Sequence, residues 1–210
     1  NGVDIQKFAA VPPVDRRQFG FSENDKIIIT VSRLVPKNGL TTSIKAFQIV
    51  KSLIPDIKFI IIGSGPLEMG LKSLTLELGL TNEILFLGEK KYPDIPRYLK
   101  AADLFVRPSR SEGLGNAFIE AMAAGLPIIG TPVGGIPDFL KNEETGLFCE
   151  VGDPKDLAEK IILLFNNRQL REKLIKNGLE LVRAKYDWDK IAEKFREIYE
   201  MASLNHGGNE

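Results

Sequence analysis

Two kinds of apolar patterning alternate over the first 130 residues of the chain. Short apolar runs, Ile27 to Val31, Ile57 to Ile62, Ile84 to Leu87, Leu104 to Val106 and Pro127 to Ile129, have the length of strands. Between them apolar residues recur at helical spacing, as in Leu40, Ile44, Phe47 and Val50, or Leu67, Leu71, Leu74 and Leu78. The runs do not alternate with polar positions, so both faces of the sheet must be covered. That predicts an α/β fold, a doubly wound, mostly parallel sheet flanked by helices. Gly146 to Glu150 is a candidate sixth strand. After Asp153-Pro154 only helical spacing remains: Leu157, Ile161 and Leu164, then Leu170 and Leu174, then Trp188, Ile191, Phe195 and Ile198. These predict closing helices whose stripes are packing faces. The polar tail from Asn205 to Glu210 is expected to fray. No repeat or linker interrupts the chain, so 1–210 reads as a single domain.

In an open parallel sheet the ligand lies beyond the carboxyl ends of the strands. The loops expected there are Ser32 to Gly39, Gly63 to Pro66, Gly88, Arg107 to Asn116 and Thr131 to Pro137, and they hold most of the chain's clustered glycine and polar residues. Glu112 and Glu120 stand eight residues apart, one in a glycine-bearing loop and one about a turn into the helix that follows. That spacing aims two carboxylates at one pocket. Gly113 and Gly115 let backbone pass close to a ligand, and the unpaired N–H groups of a helix start attract phosphate. Carboxylates accept from vicinal hydroxyls, so the combination suits a sugar nucleotide. Taken alone, two acidic residues also describe a solvated surface. Gly63 and Gly65 lack the third glycine of a dinucleotide fingerprint, since Glu68 fills its place, and a nicotinamide cofactor is disfavoured. Either glycine could equally close a tight turn. Arg107 and Arg110 read as donor contacts or as rim residues and stay outside the core set.

Charge removes other classes. Twenty-eight basic residues balance twenty-eight acidic ones, so nucleic acid is not an expected partner. No apolar run approaches the length of a transmembrane segment. Cys149, the single cysteine, fits a reducing, cytoplasmic setting. His206 is the single histidine, so neither a hydrolase triad nor a histidine-rich metal site can be assembled. The start at Asn1-Gly2-Val3-Asp4 reads as the middle of a longer polypeptide.

The segment from Glu112 to Pro127, EGLGNAFIEAMAAGLP, resembles the hallmark of family 4 retaining glycosyltransferases, which have the GT-B fold. Thr131 to Asp138, Thr145 to Phe148, Asp153 to Ala158, Ala102 to Ser109 and Gly63 to Leu67 are similar to further landmarks of that family. The resemblance implies a C-terminal, Rossmann-like donor-binding domain whose N-terminal acceptor domain is absent from the chain. It implies that Glu120 holds the ribose, that Glu112 holds the transferred hexose, and that amides of Gly113, Leu114, Gly115, Asn116 and Ala117 meet sugar and pyrophosphate. Arg33 would neutralise the leaving diphosphate. The family lysine stands five residues after that arginine, where this chain has Asn38, and Lys37 is the candidate to replace it. Gly63, Gly65 and Gly88 would lie near the base and diphosphate. The resemblance further implies a UDP-sugar or GDP-sugar donor, no cofactor and no metal. Any peripheral attachment to the inner face of a membrane would come from the missing domain, and the last helix could reach that domain or leave a patch prone to self-association. The other readings are a sugar-nucleotide epimerase, a non-catalytic nucleotide-sugar-binding module, and a structural domain without ligand.

Overall fold

The structure, a computed structural model, describes residues 2–206, with side chains up to residue 201. Six parallel strands form one sheet in the order β3-β2-β1-β4-β5-β6: β1 (Lys26–Val31), β2 (Ile57–Ile62), β3 (Ile84–Gly88), β4 (Leu104–Arg107), β5 (Ile128–Gly130) and β6 (Leu147–Phe148). The helices are α1 (Ile5–Ala10), α2 (Leu40–Leu53), α3 (Glu68–Glu77), α4 (Ile95–Lys100), α5 (Asn116–Ala123), α6 (Pro154–Asn166), α7 (Arg168–Lys185) and α8 (Trp188–His206). The expected doubly wound α/β sheet is therefore present. β6 is shorter than expected, with two residues. The expected tail begins inside α8, at Asn205 and His206, and its last four residues lie outside the described residues.

The uninterrupted apolar runs have a simple cause. Successive side chains of a strand point to opposite faces. Ile28, Phe59, Ile61, Leu104 and Val106 enter one core with α2 and α6, whereas Ile27, Ile29, Ile60, Ile62 and Phe105 enter another with α5. On the first face Ile44, Phe47 and Val50 of α2 join Leu157, Ile161 and Leu164 of α6. On the second, Phe118 meets Phe105 edge-on at 5.2 Å. α7 places Leu174 in the first core and Val182 in the second. The α8 stripe departs from expectation: Trp188, Phe195 and Ile198 remain about half exposed.

β1 leads outward to β2 and β3, and the chain then crosses to β4 on the other side of β1. The strand order reverses between β1 and β4, the place where open sheets of this kind bind ligands.

Candidate functional site

The loops at that crevice are bonded to one another into a continuous rim. Leu34 N–H donates to the Ser64 carbonyl at 2.9 Å, Gly63 N–H to that of Gly88 at 2.9 Å, Arg110 N–H to that of Lys37 at 2.7 Å, and Gly135 N–H to that of Gly113 at 2.8 Å. Gly63 is required for this packing: a Cβ there would stand 1.9 Å from the Ser32 carbonyl oxygen. A Cβ on Gly65 would stand 2.6 Å from the Leu34 carbonyl oxygen, so both glycines bring backbone against backbone, and Gly63 also borders the site. Between the two positions considered for a lysine the structure divides the work. Asn38 is buried, and its Nδ2 donates to the Arg33 carbonyl at 2.7 Å, fixing the loop from inside. Lys37 and Arg33 are exposed.

An open cavity of about 600 Å³, within the range of small-molecule sites, lies beyond β1, β2 and β3. Its wall includes Ser32, Arg33, Gly63, Ser64, Glu89, Lys90, Tyr92 and Glu120. Glu120 reaches it from the second turn of α5 and is only 8% exposed. Burial pushes its carboxyl above the usual carboxylate range, and the Arg107 charge pulls it part of the way back. Burial also raises the Tyr92 phenol, helped by the negative charges of Glu120 and Asp4.

Glu112 does not line this cavity. Its Oε2 takes a hydrogen bond from Arg107 Nη2 and its Oε1 one from Gly113 N–H at 3.0 Å. The two glutamates thus turn to different partners: Glu120 lines the cavity, while Glu112 is bonded to the Arg107 guanidinium. Arg107, the last residue of β4, lies on the face of Phe105, and its guanidinium sits 4.6 Å from the centroid of the Phe118 ring. Alternation along β4 carried the signal: the position facing the start of α5 is cationic, and sequence reasoning left it outside the core set.

Gly115 takes the left-handed conformation that begins α5, with no side chain capping the helix. Asn116 is exposed, Ala117 and Leu114 are half-buried, and a Cβ on Gly113 would meet nothing within 4 Å. Uncapped amides therefore border open space, between the loop that holds Glu112 and the helix that carries Glu120. Thr30 Oγ1, Ser32 Oγ, Arg107 Nε and Ser109 Oγ are buried without hydrogen-bond partners at the ends of β1 and β4. Among the described residues no group of three metal-ligating side chains occurs, and no helix is long and apolar enough to cross a membrane.

Residues 13–181 match the family described as glycosyl transferases group 1. The chain is 34% identical over 209 residues to a GDP-mannose-dependent monoacylated alpha-(1-6)-phosphatidylinositol monomannoside mannosyltransferase of Corynebacterium glutamicum, covering 94% of this chain and 54% of that one. It is 32% identical to N-acetyl-alpha-D-glucosaminyl L-malate synthase of Bacillus anthracis, covering 88% and 48%. The chain thus spans about half the length of these curated relatives. Among solved structures, the C-terminal domain of the group 1 glycosyl transferase LpcC from Francisella tularensis superposes with a TM-score of 0.79 at 27% identity, covering 89% of this chain and all of that one. Anabaena HepE in complex with UDP-glucose gives 0.85 at 25% identity, covering 96% and 56%. The chain belongs to glycosyl transferases group 1 and has the fold of that family's C-terminal GT-B domain.

Proposed function

We propose that this chain is the donor-binding half of a retaining hexosyltransferase, taking its sugar from a UDP-sugar or GDP-sugar and passing it to an acceptor held by a second domain. The observation that carries the reading is the single crevice in which Glu120 and Arg33 line a cavity beside the uncapped start of α5. Glu120 accepts from the ribose hydroxyls, and Glu112 from hydroxyls of the sugar. Amides from Gly113 to Ala117, with Gly63, Gly65 and Gly88 behind the base and diphosphate, complete the cradle. Negative charge grows on the diphosphate as the glycosidic bond breaks, and Arg33, Lys37 and the helix start stabilise it without a metal. The acceptor attacks from the same face while the departing phosphate takes its proton, which preserves the anomeric configuration. The mannosyltransferase name of the Corynebacterium relative favours transfer over epimerisation.

Residues 1–210 act as one domain, and the acceptor domain supplies the opposite wall. Closure over the donor excludes water and completes the site, so the isolated chain binds donor without efficient transfer. Trp188, Phe195 and Ile198 of α8 suit contact with that second domain, and without it they favour self-association, which sedimentation at rising concentration reads. The setting is cytoplasmic, with any membrane attachment in the other domain. The test is transfer by the full-length protein from UDP-hexoses and GDP-hexoses in a chelator, with the product's anomeric configuration read by NMR. Retained configuration is expected. Inversion, or a strict need for metal, overturns the mechanism.

A further inference from the structure

A buried guanidinium is costly unless charge and hydrogen bonds surround it, and removing it leaves its partners exposed to the same cost. The Arg107 side chain is 7% exposed, and its surroundings are built around it. Nη2 meets Glu112 Oε2, Nη1 donates to the Val31 carbonyl at 3.3 Å, and the ring of Phe118 covers one face. Gly115 leaves room for the pair, since a Cβ there would stand 3.3 Å from both Arg107 Nη2 and Glu112 Cγ. The backbone of Glu112 is clamped from the other side, where a Cβ on Gly134 would lie 1.7 Å from the Glu112 carbonyl oxygen. Main chain and side chain of Glu112 are therefore both held before any ligand arrives.

We propose that Arg107 is a positioning residue for the sugar end of the donor site, locking the Glu112 carboxylate so that its free lone pairs point toward the space beside Gly113. The inference rests on the donor-binding reading above. A carboxylate offers about four lone-pair sites. Arg107 and Gly113 N–H occupy one on each oxygen, which leaves two for the hydroxyls of a sugar. A guanidinium suits this task because its rigid plane ties the Nη2 that meets the carboxylate to the Nη1 held by the Val31 carbonyl, whereas an ammonium supplies charge without direction. Arg107 is itself too deeply buried to meet the diphosphate, a role left to exposed Arg33 and Lys37. Its influence should therefore fall on the sugar and spare the nucleotide.

The experiment is calorimetric titration of the chain with UDP, GDP, UDP-glucose and GDP-mannose, repeated for Arg107→Lys, Glu112→Gln and the double variant. Arg107→Lys retains the charge, and a thermal melt confirms that it folds. The nucleotide sugar is expected to lose about tenfold more affinity than its nucleoside diphosphate, the worth of a misdirected charge-assisted hydrogen bond. In the Glu112→Gln background the same arginine change should cost the sugar nothing further, because the group it orients is already altered. Equal losses for nucleotide and nucleotide sugar, or additive losses in the double variant, overturn the proposal by making Arg107 a structural ion pair. Failure of the unaltered chain to bind any of the four overturns the donor reading itself, and this inference with it.

Discussion

Gly113 and Gly134 separate what the fold needs from what a ligand needs. Gly134 has a φ of 55°, and a Cβ on it would collide with the Glu112 carbonyl oxygen at 1.7 Å. Alanine there meets a left-handed penalty of about 1–2 kcal/mol and forces two backbone segments apart. The total should reach about 3 kcal/mol or more, lowering Tm by roughly 6 °C or more. Gly113 is not in the left-handed region and its Cβ would enter open space, so alanine should change stability by less than about 0.5 kcal/mol. That open space adjoins the uncapped amides of α5. A methyl group there displaces whatever approaches them and lengthens at least one charge-assisted hydrogen bond, a loss of about 1.5–3 kcal/mol. Nucleotide-sugar affinity should therefore fall roughly tenfold to a hundredfold with Tm unchanged. Thermal melts and calorimetric titrations of the two variants decide the matter. A Gly113→Ala chain that binds as tightly as the unaltered one would refute the reasoning, as would one that melts as early as Gly134→Ala.

Three further outcomes are expected. Burial raises the Glu120 carboxyl, so the folded state holds its proton more tightly than the unfolded chain, and stability contributed by this group falls as pH rises through that window. Glu120→Gln should accordingly raise Tm near neutral pH while weakening nucleotide binding, and the Tm gain should shrink as pH falls toward the ordinary carboxylate value of about 4.3; a lower Tm at neutral pH contradicts this. Lys37→Ala should weaken donor binding most at low salt without moving Tm, whereas Asn38→Ala should cost about 1–2 kcal/mol of stability by freeing the Arg33 carbonyl; paired melts and titrations that give the reverse assignment would refute the division. The Cys149 thiol, buried and pushed up to about 12, should resist maleimide in the native chain and react once denaturant is added.

The sheet was legible because each strand is apolar on both faces, and only a doubly covered parallel sheet asks for that. The order of chemistry-bearing loops was legible for the same reason, since β-to-α connections all emerge on one edge. Helices α1 and α4, with six residues each, were not singled out, because a single turn or two leaves little periodicity to read. The α8 helix was visible, but the exposure of Trp188, Phe195 and Ile198 along its stripe was not, since periodicity gives a face and not what covers it. At the site, spacing located Glu112 and Glu120 on their loop and helix but could not show where each carboxylate turns. That depended on Arg107, five residues before Glu112 and on a different element; alternation along β4 marks the face it takes but not the partner it meets, which is a tertiary contact. Asn38 raised the same difficulty: its inward turn toward the Arg33 carbonyl is a property of the folded loop, and only then does Lys37 stand out as the exposed neighbour.

The central claim, that the cavity beyond β1, β2 and β3 holds a sugar nucleotide through Glu120, is tested most directly by titrating the chain without metal against a panel of nucleoside diphosphates and their sugars, beside Glu120→Ala. Saturable binding of one nucleoside diphosphate series, lost in the variant while its melt shows a folded chain, is the predicted result. Binding that survives Glu120→Ala unchanged, or no binding to any member of the panel, would contradict it.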